Sequence, residues 1–179
     1  MSKPIDFSEF HIDRMEENEV IESFNCGDAD LNDFILREAP LYQNALLAVS
    51  YVAKVGDEAI AYFSLANDRV SLGDFENKTE FNRFRKHRFT NEKRLKSYPA
   101  VKVGRFAVSC DYRGSGIGTI LMDFIKDYFI TNNRTGCRFI TVDAYLNAIP
   151  FYEKNNFSPL LPNDDNEHTR LLFYDLKDE

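Results

Sequence analysis

Residues 101–129 read VKVGRFAVSCDYRGSGIGTILMDFIKDYF, and this stretch decides the fold. Its apolar start predicts a β-strand over residues 101–108, and the glycine-rich segment that follows predicts a turn. After the turn, apolar residues repeat at the spacing of one helical face: Ile117, Ile120, Leu121, Phe124, Ile125, Tyr128 and Phe129. That spacing predicts a strong amphipathic helix.

The turn reads Arg113-Gly114-Ser115-Gly116-Ile117-Gly118 and has the composition of an anion-binding loop. The first N–H groups of a helix have no intrahelical acceptor, and the peptide dipoles place partial positive charge there. A phosphate satisfies both, and glycines let the backbone approach it closely. The spacing matches neither the dinucleotide fingerprint nor the phosphate loop. From the turn alone, phosphate binding and a simple chain reversal are equally open.

The strand before the turn has an irregular apolar pattern. Val101 and Val103 fall on odd positions, whereas Phe106 and Val108 fall on even ones. In a regular strand, the side chains at odd positions point to one face of the sheet and those at even positions point to the other. The switch predicts a β-bulge near Gly104-Arg105.

The flanking segments predict a mixed α/β sheet with helices packed on it. A helix is expected over residues 28–39, capped by Asp28 or Asp30 and ended by Pro40. The remaining elements are strands over 45–55, 59–65, 138–144, 157–161 and 169–176, and a helix over 147–155. Residues 70–97 are rich in basic side chains and are expected to form a loop or helical segment between two strands, here called the basic excursion. The 179 residues predict a single domain over 1–179, with its core at about 45–176.

Composition indicates a soluble chain. The net charge is −7, whereas a nucleic-acid-binding protein that is basic overall has a positive net charge. Three cysteines without close pairing argue against a disulfide framework and against a metal site. No apolar run is long enough for a membrane span, and the N-terminus has no signal-peptide stretch. We expect a cytoplasmic protein.

The motifs together resemble the GCN5-related N-acetyltransferase (GNAT) family. Residues 113–118 fit its acetyl-CoA pyrophosphate motif, Arg-x-x-Gly-x-Gly, and residues 104–108 resemble its bulged fourth strand. Residues 142–144 and 151–157 resemble its fifth strand and following helix. The resemblance implies a mostly antiparallel sheet of six to seven strands, flanked by helices, with a bulged and splayed central strand pair.

The resemblance also implies an activity and its residues. The activity is acetyl transfer from acetyl-CoA to a primary amine, by direct attack in a ternary complex and without a metal. Backbone groups on the strand would pair with the pantetheine arm, and N–H groups of Arg113, Ser115, Gly116, Gly118 and Thr119 would hold the pyrophosphate. The implied cofactor-binding residues are Phe106, Ala107, Val108, Arg113, Gly114, Ser115, Gly116, Ile117, Gly118, Thr119 and Asn147.

Tyr152 would be the general acid that protonates the departing thiolate. A phenol with an ordinary pKa of about 10 keeps its proton at neutral pH. Tyr152 also fits an ordinary core position, because Ala148, Phe151 and Tyr152 have helical spacing. Asn147 equally fits a helix cap.

The base that takes the amine proton is open. The candidates are Ser64, Asn67, Asp68 or a chain of water molecules. Cys110 has no histidine at triad spacing, and a structural role is the better interpretation.

Residues 83–96 form a cationic segment. It holds seven basic residues against one acid: Arg83, Arg85, Lys86, Arg88, Lys93, Arg94 and Lys96 against Glu92. A tRNA partner, a phosphorylated or acidic substrate, a contact to the cofactor's 3′-phosphate and a solvated helix stay open. Residues 24–31 (FNCGDADL) resemble the start of the family's toxins, which acetylate aminoacyl-tRNA. A non-catalytic acyl-CoA-binding module is a further alternative, and a homodimer is plausible through a sheet edge.

Overall fold

The computed structural model describes residues 2–131 and 134–178. The strands form one seven-stranded sheet in the order β1-β2-β3-β4-β5-β7-β6. They are β1 Phe10–Arg14, β2 Val49–Val55, β3 Glu58–Ser71, β4 Ser97–Val108, β5 Phe139–Tyr145, β6 Ser158–Pro159 and β7 Thr169–Asp175. The helices are α1 Ala29–Asp33, α2 Ala39–Asn44, α3 Lys78–Arg88, α4 Ile117–Thr131 and α5 Ile149–Lys154.

Strand pairing confirms the predicted mixed, mostly antiparallel sheet. The pairs β1–β2, β2–β3, β5–β7 and β6–β7 are antiparallel. Strand β4 pairs with β5 in parallel, with Ala100 opposite Phe139 and Lys102 opposite Thr141. The bulge at Gly104-Arg105 stays a prediction. Val103 and Ala107, the buried β4 residues on either side of this position, are both odd-numbered.

Three predicted boundaries shift in the structure. Pro40 does not end the first helical piece. A π-helical turn, Phe34–Glu38, leads into α2, and Pro40 lies in the first turn of α2, where its fixed φ of about −65° is compatible with helical backbone. Strand β2 begins at Val49 because Ala45 still caps α2. Strand β3 continues to Ser71, past the end of its apolar run, because its last residues alternate between exposed and buried positions.

The fold contains two compact units. The first comprises the described parts of Met1–Ala66 and Val103–Asp127. Its core packs side chains from the N-terminal segment and the strands: Met15, Ile21, Phe24, Cys26, Phe34, Ile35, Ala39, Val52, Tyr62 and Ala107. Helix α4 buries Ile117, Leu121 and Ile125 of the predicted stripe, and also Met122. The apolar stripe is therefore the packed face of α4.

The second unit comprises Asn67–Lys102 and the described part of Tyr128–Glu179. Its core is largely aromatic and joins α3 to the strands: Val70, Phe81, Phe84, Tyr98, Ala100, Phe139, Leu160 and Phe173. The basic excursion thus contains a helix, α3, whose apolar face is buried. In the described residues, no helix has the length and apolar character to cross a membrane. The single domain stays a prediction.

Candidate active site

The glycine turn in the first unit has the backbone of a ligand cradle. Gly114 and Gly116 have φ angles of +77° and +88°, a region that side chains with a Cβ rarely adopt. At both residues the position of an added Cβ has no heavy atom within 4 Å. The glycines are therefore required by the conformation, and the space beside them is open.

Backbone N–H groups of the turn divide into two sets. Ser115 donates to the carbonyl of Tyr112 at 3.3 Å, and Thr119 donates to the carbonyl of Gly116 at 3.1 Å. Within residues 2–131 and 134–178, no backbone carbonyl accepts from Gly116 or Gly118. Two of the five predicted pyrophosphate donors thus already have acceptors. The free N–H groups lie where α4 begins, as anion binding requires.

The side chain of Arg113 is tied to the N-terminal segment. Its Nη2 donates to the carbonyl oxygen of Cys26, and the same nitrogen lies 3.7 Å from the Cβ position of Gly27. The guanidinium therefore joins the turn to residues 26–27.

Strand β4 carries the predicted pantetheine contacts in the same unit. Phe106 and Val108 are half-buried, whereas Ala107 is buried in the core of the first unit. Just beyond the strand, Ser109 donates to the carbonyl of Ile60 at 2.9 Å. The pairing of this segment with the cofactor stays a prediction.

Tyr152 and Asn147 lie in the second unit. Tyr152 is buried in α5, and its ring contacts Phe151 and Phe157 edge to face at 5.2 and 5.5 Å. Burial raises the pKa of the Tyr152 phenol above its ordinary value of 10.0. Asn147 is exposed in a short 3₁₀ turn, and the residue that caps α5 is Ala148. The cap interpretation of Asn147 is therefore wrong.

The candidate bases differ in accessibility. Ser64 is buried, Asn67 is exposed and Asp68 is half-buried. The Asp68 carboxylate accepts a hydrogen bond from the Thr141 hydroxyl at 2.5 Å. Asp68 is thus already engaged by β5, and Ser64 has little access to solvent.

A polar group beside Asp68 was missed by the sequence analysis. Lys102 on β4 forms an ion pair of 2.7 Å with Asp143 on β5. Burial lowers the pKa of Lys102, but the hydrogen bond and charge of Asp143, with the charges of Asp68 and Asp74, raise it overall. No local motif could have found this group, because only strand pairing brings its members together.

The cationic segment separates into structural and exposed residues. The Arg85 guanidinium donates to the Leu95 carbonyl at 2.9 Å and lies 5.0 Å from the Phe81 ring. Arg88 lies 3.2 Å from the buried carboxylate of Asp175. The basic residues with exposed side chains are Arg83, Lys86, Lys93 and Lys96. A partner can therefore reach four of the seven cations freely.

Residues 48–159 match a family model described as an acetyltransferase (GNAT) domain, more than half of the chain. The chain belongs to the GNAT family of acetyltransferases. No curated protein sequence matches it. As a GNAT protein it is an acetyl-CoA-dependent N-acetyltransferase, and acetyl-CoA is its co-substrate, as the family resemblance implied.

Solved structures share this GNAT fold over nearly their whole length. A tyrosine-to-phenylalanine mutant of KacT has a TM-score of 0.75 at 22% identity, covering 94% of this chain and 96% of that one. AtaTR bound with AcCoA has a TM-score of 0.73 at 19% identity, covering 96% of each chain. AtaT complexed with acetyl-methionyl-tRNAfMet has a TM-score of 0.70 at 20% identity, covering 94% of this chain and 95% of that one.

Proposed function

We propose that the pyrophosphate of acetyl-CoA binds at the start of α4, and that the acetyl group passes to a primary amine by direct attack. The observation that carries this proposal is the turn of residues 113–118. It combines two glycines with positive φ, open space at their Cβ positions and N–H groups that have no backbone acceptor in the part of the chain that the structure describes. An anion with several oxygens suits this arrangement.

Each implied residue has one task in this proposal. Acetyl-CoA supplies the activated thioester. The backbone of Phe106, Ala107 and Val108 receives the pantetheine arm as an added strand, and Asn147 donates a hydrogen bond near it. Gly114 and Ile117 shape the pyrophosphate cradle. These roles follow from the family resemblance, because the sequence around each residue matches a motif of the family.

Tyr152 is the proposed general acid. Its raised pKa means that the phenol keeps its proton at every pH at which the enzyme is expected to work. Its burial in α5 restricts the rotamers of the ring. A proton donor that is fixed in place and stays protonated is suited to protonate the departing thiolate. We propose that water takes the amine proton, because the Asp68 carboxylate already holds the Thr141 hydroxyl.

Aminoacyl-tRNA is the acceptor that a specific observation favours. The exposed cations Arg83, Lys86, Lys93 and Lys96 lie within 14 residues of sequence, in a chain whose net charge is −7. Such a segment attracts a phosphate backbone. The similar structure of AtaT was solved with acetyl-methionyl-tRNAfMet, which supports the same acceptor class for this chain. The chain would then act as a toxin, in the cytoplasm.

A transfer assay tests the proposal. Radiolabelled acetyl-CoA is incubated with the protein and a panel of small amines, peptides and aminoacyl-tRNA, and labelled product is counted. We expect acetylated aminoacyl-tRNA to form fastest, and overexpression to arrest growth. Acetyl-CoA binding without transfer to any acceptor would favour the non-catalytic module instead. Gel filtration with light scattering tests the proposed homodimer, for which the edge strands β1 and β6 are available.

A further inference from the structure

The segment before α1 contacts the glycine turn, although it lies outside the residues that match the family model. Cys110 donates its N–H to the carbonyl of Asn25 at 2.9 Å, and the Arg113 guanidinium donates to the carbonyl of Cys26. A Cβ added to Gly27 would lie 3.4 Å from the Cys110 sulfur. Asn25 and Cys26 therefore bind the chain on the N-terminal side of the turn, and Gly27 lies beside it.

This segment is itself rigidly built. The side-chain oxygen of Asn25 accepts from the N–H of Gly27 at 2.8 Å and from the amide of Asn32 at 3.2 Å. The side-chain oxygen of Asn32 accepts from the N–H of Cys26 at 2.8 Å. These bonds hold Gly27 at a φ of +80°.

Both ends of the segment are anchored in the first unit. The Cys26 side chain is buried in its core, and Asp28 caps α1 by accepting from the N–H of Leu31 at 3.0 Å. The contacts to Cys110 and Arg113 therefore come from a fixed support. A support of this kind suits the positioning of a ligand-binding turn.

We infer that residues 25–28 form a clamp that positions the pyrophosphate turn, with Asn25 and Asn32 as positioning residues. This inference rests on the proposed binding of acetyl-CoA at residues 113–118. The clamp fixes the direction in which the chain enters the turn, through the carbonyls of Asn25 and Cys26. The N–H groups at the start of α4 then converge on the pyrophosphate without reorganisation when the cofactor binds.

The variant Asn25→Ala tests the clamp, because it removes the oxygen that holds the Gly27 N–H and the Asn32 amide. We expect calorimetry to give an acetyl-CoA Kd about tenfold higher than that of the wild type. The KM for acetyl-CoA should rise by a similar factor, with kcat nearly unchanged. Transfer from S-acetylpantetheine, which lacks the pyrophosphate, should proceed at the wild-type rate. A purely structural defect would slow both donors alike.

Two further variants separate positioning from stability. Asn25→Asp keeps an oxygen in the same turn geometry, and its acetyl-CoA Kd should return to within about threefold of the wild type. Asn77→Ala is the matched control, because Asn77 accepts from the N–H groups of Thr79 and Glu80 at 2.9 and 3.0 Å. It should lower the Tm and leave the acetyl-CoA Kd unchanged.

Three results would overturn the inference. One is an unchanged acetyl-CoA Kd in Asn25→Ala, and another is an equal loss with S-acetylpantetheine. The third is equal weakening by Asn77→Ala. These outcomes are distinct from failure of the proposed function, which would appear as no acetyl-CoA binding by the wild type.

Discussion

At the residue scale, the proposed reaction depends most on Tyr152. The sequence left two interpretations open, a packed core residue and a general acid. The structure makes Tyr152 a buried side chain with two aromatic neighbours. Burial also raises the pKa of its phenol, which suits a proton donor. Packing and acid catalysis are therefore compatible in one residue.

Replacement of Tyr152 by phenylalanine keeps the ring and removes the proton. We expect kcat to fall about 10²- to 10³-fold, because a positioned general acid contributes a factor of that order. The KM for acetyl-CoA should stay nearly constant. The control is Tyr98→Phe, which removes the hydroxyl of another buried tyrosine, one that donates to the Lys93 carbonyl at 3.1 Å. An unchanged kcat in Tyr152→Phe would exclude the general-acid role.

The pH dependence of kcat gives a second test of the same residue. A raised pKa means that Tyr152 loses its proton only above its ordinary value of 10.0. We therefore expect no fall in kcat between about pH 7 and pH 10 from ionisation of this phenol. Steady-state rates over that range measure it. A descending limb below pH 10 that disappears in Tyr152→Phe would contradict the raised pKa of this phenol, whereas a limb that persists in the variant belongs to another group.

At the element scale, the proposed function depends on the turn before α4 and on the helix α3. The turn binds through backbone geometry, so its test is a change in the backbone. Helix α3 carries two of the exposed cations, Arg83 and Lys86, and its last turn is fixed to the sheet through Asp175. That carboxylate is buried at the end of β7 and contacts both Arg88 and Arg138.

Gly116→Ala tests the turn. Alanine strains a backbone with a φ of +88°, and its methyl group occupies the space beside the free N–H groups. We expect the acetyl-CoA Kd to rise about 5- to 30-fold, because the free turn relaxes out of this conformation and must recover a strain of about 1–2 kcal/mol to bind. Gly56→Ala is the control, because Gly56 has a φ of +57° in the β2–β3 turn. It should reduce stability and leave the acetyl-CoA Kd unchanged, and equal loss in both variants would contradict the proposal.

Asp175→Ala tests the anchoring of α3. The Asp175 carboxylate accepts from Arg138 at 2.5 and 3.0 Å and lies 3.2 Å from Arg88. Its removal leaves two half-buried guanidinium groups without their partner. We expect the free energy of unfolding in urea to fall by about 3–5 kcal/mol. Glu80→Ala, which breaks the exposed pair with Arg83, should cost under about 1 kcal/mol.

At the scale of the whole molecule, charge is unevenly distributed along the chain. Outside residues 83–96 there are 15 basic residues against 28 acids. This imbalance makes residues 83–96 the stretch of the chain that best suits a polyanionic partner. A tRNA acceptor would therefore bind there.

Neutralising the four exposed cations tests this proposal. With Arg83, Lys86, Lys93 and Lys96 changed to glutamine, we expect tRNA binding to weaken. The slope of log Kd against log salt should fall by about 3 to 3.6, because each of the four lost phosphate contacts contributes about 0.7 to 0.9. A control set elsewhere comprises four exposed cations: Arg14, Arg37, Lys154 and Lys177. An equal loss in both sets would indicate only a general charge effect and would contradict a specific tRNA surface.

Sequence reasoning predicted those features that depend on local spacing. The stripe of α4 and the glycine turn each follow from residues within a few positions of one another. The pairing of Lys102 with Asp143 and the contact of Arg113 with Cys26 join residues 41 and 87 positions apart. Such contacts depend on tertiary packing, which no local pattern encodes. Pro40 was misjudged because its effect depends on whether it begins or interrupts a helical turn.

The central claim is that acetyl-CoA binds through its pyrophosphate at the start of α4. Calorimetric titration of the wild-type protein with acetyl-CoA, alone and after saturation with S-acetylpantetheine, tests it most directly. The account predicts one tight site for acetyl-CoA and much weaker binding of S-acetylpantetheine, which lacks the pyrophosphate. Equal affinity for the two ligands, or no binding of acetyl-CoA, would contradict it.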